Sequence, residues 1–126
     1  MRMQLKLLSD EKDILDDKAV IRVACEGQIS HDDFNPANDP MRQVLGPLIF
    51  ARKVLLNLEK TTYINSSGIS WLIICHKHFV QAKGQLILHS IPPIVFQVMQ
   101  IVRLPLVVPT ATDEAAALAL ARGDKQ

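Results

Sequence analysis

The sequence predicts an α/β domain built on a mixed sheet, and three observations carry that expectation. Two β-branched, alternating runs near the start read as a hairpin. The run Lys53–Leu58 is almost continuously apolar, as a strand covered on both faces must be. From there to the end, strand-like and helix-like segments alternate, which requires parallel neighbours joined by right-handed crossovers. The 126 residues and 14.1 kDa suffice for one domain, taken as residues 1–126.

In chain order, Gln4–Leu8 alternates as a strand should, and Ser9–Lys18 is a charged turn holding several aspartates. Ala19–Cys25 is the second strand, ended at Glu26-Gly27, where glycine lets the chain turn. Turn formers crowd Ser30–Pro40, and the last of them open a helix, with Asn38 or Asp39 as N-cap and Pro40 at the first helical position. This helix runs to about Ala51 and is disturbed at Gly46-Pro47. After the Lys53–Leu58 strand, Thr61–Ile64 leads into Asn65-Ser66-Ser67-Gly68 and a helix that stops at Gly84. Gln85–Ile91 is a strand, Pro92–Leu104 a helix opened by two prolines, and Leu106–Val108 a short strand. Thr112-Asp113-Glu114 then caps an alanine-rich helix from Ala115 to Arg122, and Gly123–Gln126 should fray.

Composition excludes several classes of function. With 48% hydrophobic and 21% charged residues the chain can bury a core. A net charge of +1 lacks the concentrated basic excess of a nucleic-acid binder, and no direct membrane insertion is expected either. The most hydrophobic region, Leu86–Pro109, contains His89, Pro92, Pro93, Gln97, Gln100, Arg103 and Pro105, which a spanning helix would not accumulate. Charge interrupts Met1–Lys6 before a signal peptide could form, so a cytoplasmic domain is the expectation. Cys25 and Cys75 lie inside apolar runs and read as small core residues in a reduced compartment, not as a disulfide or zinc site.

Catalytic and metal chemistry find little support. His76 and His78 are two apart on a helix and point to nearly opposite faces, so they do not form a chelating pair, and no metal or cofactor is expected. Ser66 and Ser67 occupy a strand-to-helix turn, but the glycines of a nucleophile elbow are absent. Neither dinucleotide nor phosphate-loop glycine pattern occurs, and no acid, base and nucleophile converge, so the chain is not read as an enzyme.

Asn65-Ser66-Ser67-Gly68 is the most informative tetrapeptide. One polar residue suffices to cap a helix, and here three stand in a row at the carboxyl edge of a sheet, where ligand and partner contacts concentrate. In the helix that follows, Ile69, Leu72, Ile73, His76, Phe79 and Val80 form a core stripe. Trp71, Ile74, Cys75 and His78 form a second stripe, either packed on a neighbouring helix or exposed as a docking patch. Trp71 and Ile74 are the expected anchors of such a patch. Val23, Leu55, Leu56, Leu72, Ile73, Leu86 and Leu88 are the expected core.

At these residues the sequence resembles the STAS domain family, named for sulfate transporters and anti-sigma factor antagonists. Val54–Leu58, Thr61–Ile64 and Asn65–Leu72 match the family's apolar strand, short linker and Asp-Ser-[Ser/Thr]-Gly-Leu-Gly helix start. Gly27-Gln28-Ile29 looks like the start of its Gly-Glu-[Leu/Ile]-Asp element, and Gln81–Leu88 with the Pro92 helix follows the same order. The resemblance implies a mixed sheet of four to five strands with about four helices, mostly packed on one face. It also implies a non-catalytic bacterial regulator of transcription that binds an anti-sigma factor serine kinase, or another STAS-binding protein, and is reset by a phosphatase. Carried over by position, the phosphorylation acceptor is Ser66. The implied contact surface comprises Asn65, Ser66, Ser67, Gly68, Ser70, Trp71 and Ile74 with Gly27, Ser30, Asp32 and Asp33. Asn65 and Ser30 stand where the family carries aspartates, and Asp32 and Asp33 follow in a longer loop. The other reading keeps the fold as a constitutive scaffold, or as a subunit of a signalling or lipid-transport assembly without phosphorylation.

Overall fold

The computed structural model of the protein describes residues 4–16, 18–29, 40–46 and 48–123. Its elements are β1 (Gln4–Leu7), α1 (Glu11–Leu15), β2 (Val20–Ile29), α2 (Pro40–Leu45), β3 (Lys53–Ile64), α3 (Ser66–Gln81), β4 (Gln85–His89), α4 (Pro93–Ile101), β5 (Thr110–Ala111) and α5 (Glu114–Ala121). Single 3-10 turns lie at Ile49–Ala51 and Leu104–Leu106. The strands form one sheet in the order β1-β2-β3-β4-β5. β1 is antiparallel to β2, and every later pair is parallel, the product of a hairpin extended by successive crossovers.

Val23, Leu56 and Leu88 lie opposite one another across β2, β3 and β4, each 0% exposed, and they face the larger core. Met41 of α2, Leu72 and Phe79 of α3, and Val95 and Met99 of α4 belong to the same cluster, so three helices share this face. On the other face, Leu55 and Ile87 pack against Ala117 and Ala121, whose small side chains let α5 lie close. Lys53 Nζ donates to the Ala121 carbonyl at 2.6 Å, setting a cation against the negative end of α5. Of the seven expected core residues six are buried, while Ile73 is partly buried at the margin of the cluster.

Several boundaries differ from the sequence reading, each for a local reason. The charged turn after β1 winds into α1 because Asp10 Oδ1 accepts the Asp13 N–H at 3.0 Å. Arg52 holds it in place, its guanidinium donating to the carbonyls of Asp13 and Ile14 at 2.8 and 2.9 Å. β2 does not end at Gly27 but continues to Ile29, taking up the irregularity as register shifts against β3 between Ala24 and Glu26 and between Gly27 and Gln28. The partner strand β3 likewise runs on to Ile64. The helix from Pro40 stops at Leu45, and Ile49–Ala51 is a separate turn. α4 is shorter than Pro92–Leu104, and the last strand falls on Thr110–Ala111 and not on Leu106–Val108, because Leu106 is wound with Leu104 and Pro105 into the second 3-10 turn. Gly84 does close α3, but the left-handed residue is Lys83; glycine is needed because a Cβ there would stand 2.2 Å from the Phe50 carbonyl oxygen. The turn formers Ser30–Asp39, with the alternative caps Asn38 and Asp39, lie outside the described residues, as do Pro47 and Asp124–Gln126.

His89 ends β4 at 1% exposure, with Nδ1 2.9 Å from the Ser90 hydroxyl. Burial pushes its pKa below the usual histidine value of 6.5, a shift that the nearby Glu114 and Asp113 carboxylates partly offset. Between the lowered folded value and 6.5, the unfolded chain takes up a proton that the folded chain does not. The His89 contribution is therefore complete above pH 6.5 and declines as the pH falls through this window. Denaturant midpoints measured from pH 7.5 to 5 are expected to fall, and to fall less in His89→Gln; equal slopes would remove His89 as a cause.

Candidate functional site

Where β3 ends at Ile64, Asn65 remains extended and caps α3. Its Oδ1 accepts the Gly68 N–H at 3.1 Å and the Ser67 hydroxyl at 2.7 Å. Asparagine and aspartate are about equally good caps, so starting the helix here requires an oxygen and not a charge. The three serines consequently differ. Ser67 is engaged with the cap, whereas Ser66, the first residue of α3, is exposed and its hydroxyl meets no hydrogen-bond partner among the described residues. Ser70 is exposed one turn later and Ile74, 45% exposed, one turn beyond that. Ser66, Ser70 and Ile74 thus make an i, i+4, i+8 ridge on the outer side of α3.

Gly68 fixes this ridge to the sheet. A Cβ at that position would stand 1.9 Å from the Ile29 carbonyl oxygen, and the same oxygen receives the Asn65 N–H at 3.4 Å. The start of α3 is therefore seated directly on the last residue of β2. Tyr63 on β3, 48% exposed, and the exposed Gln28 opposite it in register widen the rim beside the ridge. The sequence reading missed both. The available signal was the β-branched and aromatic run Thr61–Ile64 beyond Leu58, in which Thr61 and Ile64 are buried and Thr62 and Tyr63 exposed.

Other expected site residues are placed differently. Trp71 is 1% exposed and lies in the core, so it does not stand on an exposed stripe and offers no surface anchor; Cys75 of the same stripe is fully buried. Gly27 is buried inside β2 at φ 91°, where it shapes the backbone and does not present a contact. Ser30, Asp32 and Asp33 lie outside the described residues. Of the proposed surface, the structure brings together Asn65, Ser66, Ser67, Gly68, Ser70 and Ile74.

The electrostatics of the ridge are those of a helix start with no counter-charge from its own segment. From Lys60 to Thr112 no aspartate or glutamate occurs. The α3 N-terminus thus presents its partial positive charge with Asn65 neutral beside it. Cys25, on β2, is a thiol pushed up to about 12 by burial, with Thr61 and Glu26 acting in opposite senses, so it is not a nucleophile at neutral pH. Among the described residues no cluster of three or more His, Cys, Asp or Glu side chains could hold a metal ion.

With this geometry, comparison with known proteins is informative. The model of the family described as the STAS domain matches residues 7–117. No curated protein matches the sequence. Among solved structures, the anti-sigma factor antagonist SpoIIAA in its unphosphorylated form is 21% identical, with 99% of this chain and 100% of that chain covered and a TM-score of 0.64. An anti-sigma factor antagonist from Mycobacterium paratuberculosis is 14% identical over 96% of this chain and 95% of its own, with a TM-score of 0.67. A STAS domain protein from Planctomyces limnophilus is 21% identical over 93% and 97%, with a TM-score of 0.58. These likenesses are of fold.

Proposed function

This chain is a member of the STAS domain family, and from that premise we propose that it is a non-catalytic partner-switching regulator of the anti-sigma factor antagonist kind. Its partner is a serine kinase of the anti-sigma type, its contact surface is the Ser66–Ser70–Ile74 ridge with Ser30, Asp32 and Asp33, and Ser66 is the residue the kinase modifies and a phosphatase restores. The observation that carries this reading is the division of labour at the α3 start. Asn65 and Ser67 serve the cap, and the exposed Ser66 hydroxyl is left without a structural task among the described residues.

Phosphate on Ser66 would act on the complex and leave the fold in place. It adds a charge of about −1.5 to −2 at pH 7. At a helix N-terminus a negative charge is favourable by about 0.3–1 kcal/mol, and no acid of the Lys60–Thr112 segment opposes it. In a docked interface the same charge loses its water, and leaving it unpaired costs about 3–5 kcal/mol. The interface effect is larger, so the switch releases the partner and spares α3. Isothermal titration of purified variants against the kinase tests this. Ser66→Asp is expected to weaken binding at least about tenfold, equivalent to about 1.4 kcal/mol. Ser66→Ala should bind normally and resist release by ATP, and Ser67→Ala should change affinity less than Ser66→Asp. Unchanged affinity for Ser66→Asp would remove Ser66 from the interface.

Asn65 favours one other reading. It is neutral where the family carries aspartate, so a constitutive scaffold or subunit of a signalling or lipid-transport assembly could use the same ridge without phosphorylation. Such a protein would bind its partner equally well with and without ATP.

A further inference from the structure

The whole-chain net charge of +1 conceals a segregation, because all 13 acidic residues lie outside the segment from Lys60 to Thr112, which carries Lys60, Lys77, Lys83 and Arg103. α3 begins at the edge of the sheet where β3 ends and finishes where β4 begins, and α4 leaves β4 in the same direction. The C-terminal ends of both helices, with Lys77, Lys83 and Arg103, therefore come to the sheet edge opposite Ser66.

At that edge the chain builds an apolar projection. Arg103 takes the left-handed conformation at φ 59°, ψ 32°; the Leu106 N–H bonds the Arg103 carbonyl at 3.2 Å; and the Val107 and Val108 N–H groups both reach the Leu104 carbonyl at 2.9 Å. Leu104 and Val108, 1% and 0% exposed, pin the turn into the core. Around them Ile101, Val102, Leu106 and Val107 stand 80%, 49%, 81% and 47% exposed, and Ile94, two helical turns back along α4, is 74% exposed. Single exposed aliphatic residues need no explanation, but four within seven residues on a pinned turn mark a contact surface. The exposed Arg103 at its crest makes no ion pair among the described residues.

We propose that this turn is a contact for an anionic lipid surface, with Ile101, Val102, Leu106 and Val107 entering the boundary between headgroups and acyl chains while Arg103, Lys77 and Lys83 meet the headgroups. One argument selects this occupant over a second copy of the chain. Arg103, exposed amid these aliphatic side chains and without an ion pair among the described residues, complements anionic headgroups and repels its counterpart in a second copy. Shallow insertion needs no spanning segment, and no described helix is long and apolar enough to cross a membrane. The surface lies away from the Ser66 ridge, so the proposal stands or falls separately from the switch.

Co-sedimentation of the full chain with vesicles of phosphatidylglycerol and phosphatidylcholine, against phosphatidylcholine alone, tests it. Wild-type protein is expected to pellet with the anionic vesicles only. Leu106→Asp should reduce the bound fraction about tenfold, and Arg103→Gln about fivefold. Both positions are exposed, so an unchanged circular dichroism spectrum will separate lost contact from lost fold. Absence of binding to either vesicle, equal binding to both, or equal binding by wild type and Leu106→Asp overturns the proposal. Self-association in sedimentation velocity that Leu106→Asp abolishes, without vesicle binding, would assign the turn to a second copy instead.

Discussion

Gly68→Ala is expected to lower the stability of the domain by about 3 kcal/mol or more, because overpacking by one methyl group normally costs ~1–3 kcal/mol and here the obstacle is backbone. The new Cβ would stand 1.9 Å from the Ile29 oxygen, 2.7 Å from its carbonyl carbon and 2.8 Å from its Cγ2. Neither partner can yield cheaply. Ile29 is 0% exposed at the end of β2, and raising α3 would strain the Asn65 cap and withdraw Leu72, Cys75 and Phe79 from the core. Against a total of about 5–15 kcal/mol for a small domain this is a large fraction. Urea denaturation followed by Trp71 fluorescence measures it, and an unchanged midpoint would show that α3 does not rest on β2 at this point.

Leu56→Ala should cost a comparable amount, about 2–5 kcal/mol, with the value set by how far the surroundings collapse into the space left. Leu56 sits on the central strand between Val23 and Leu88, which are themselves fully buried and fixed by β-sheet hydrogen bonding on both sides. Little collapse is therefore available, and the upper part of the range is expected. The same denaturation experiment decides it, and a loss below about 1 kcal/mol would be inconsistent with a rigid, fully packed site.

The strong signals in the sequence were those of elements whose side chains report their own environment. Lys53–Leu58 is apolar on both faces because helices cover both faces of β3, and Asn65 caps α3 because its side chain has that capacity wherever a helix begins. The orientation of α3 was less legible. The expected stripe of Ile69, Leu72, Ile73, His76, Phe79 and Val80 is right for Ile69, Leu72 and Phe79, but the buried face also takes in Gly68, Trp71 and Cys75, while Ile73 lies at the margin and Val80 is left 58% exposed. Close approach selects small residues, and a hydropathy pattern does not weigh proximity. The same rotation carries Trp71 into the core and leaves Ile74 on the ridge. The end of β2 was missed for a related reason: Gly27 reads as a turn in isolation, but pairing with β3 keeps the strand running to Ile29.

The central claim is that Ser66 is the switch, and phosphopeptide mapping by mass spectrometry after incubation with the anti-sigma serine kinase and ATP tests it most directly. One phosphate on Ser66, absent in Ser66→Ala and retained in Ser67→Ala, is the expected result. Phosphate on Ser67, or on neither serine, would contradict the account and leave the ridge as a constitutive docking surface.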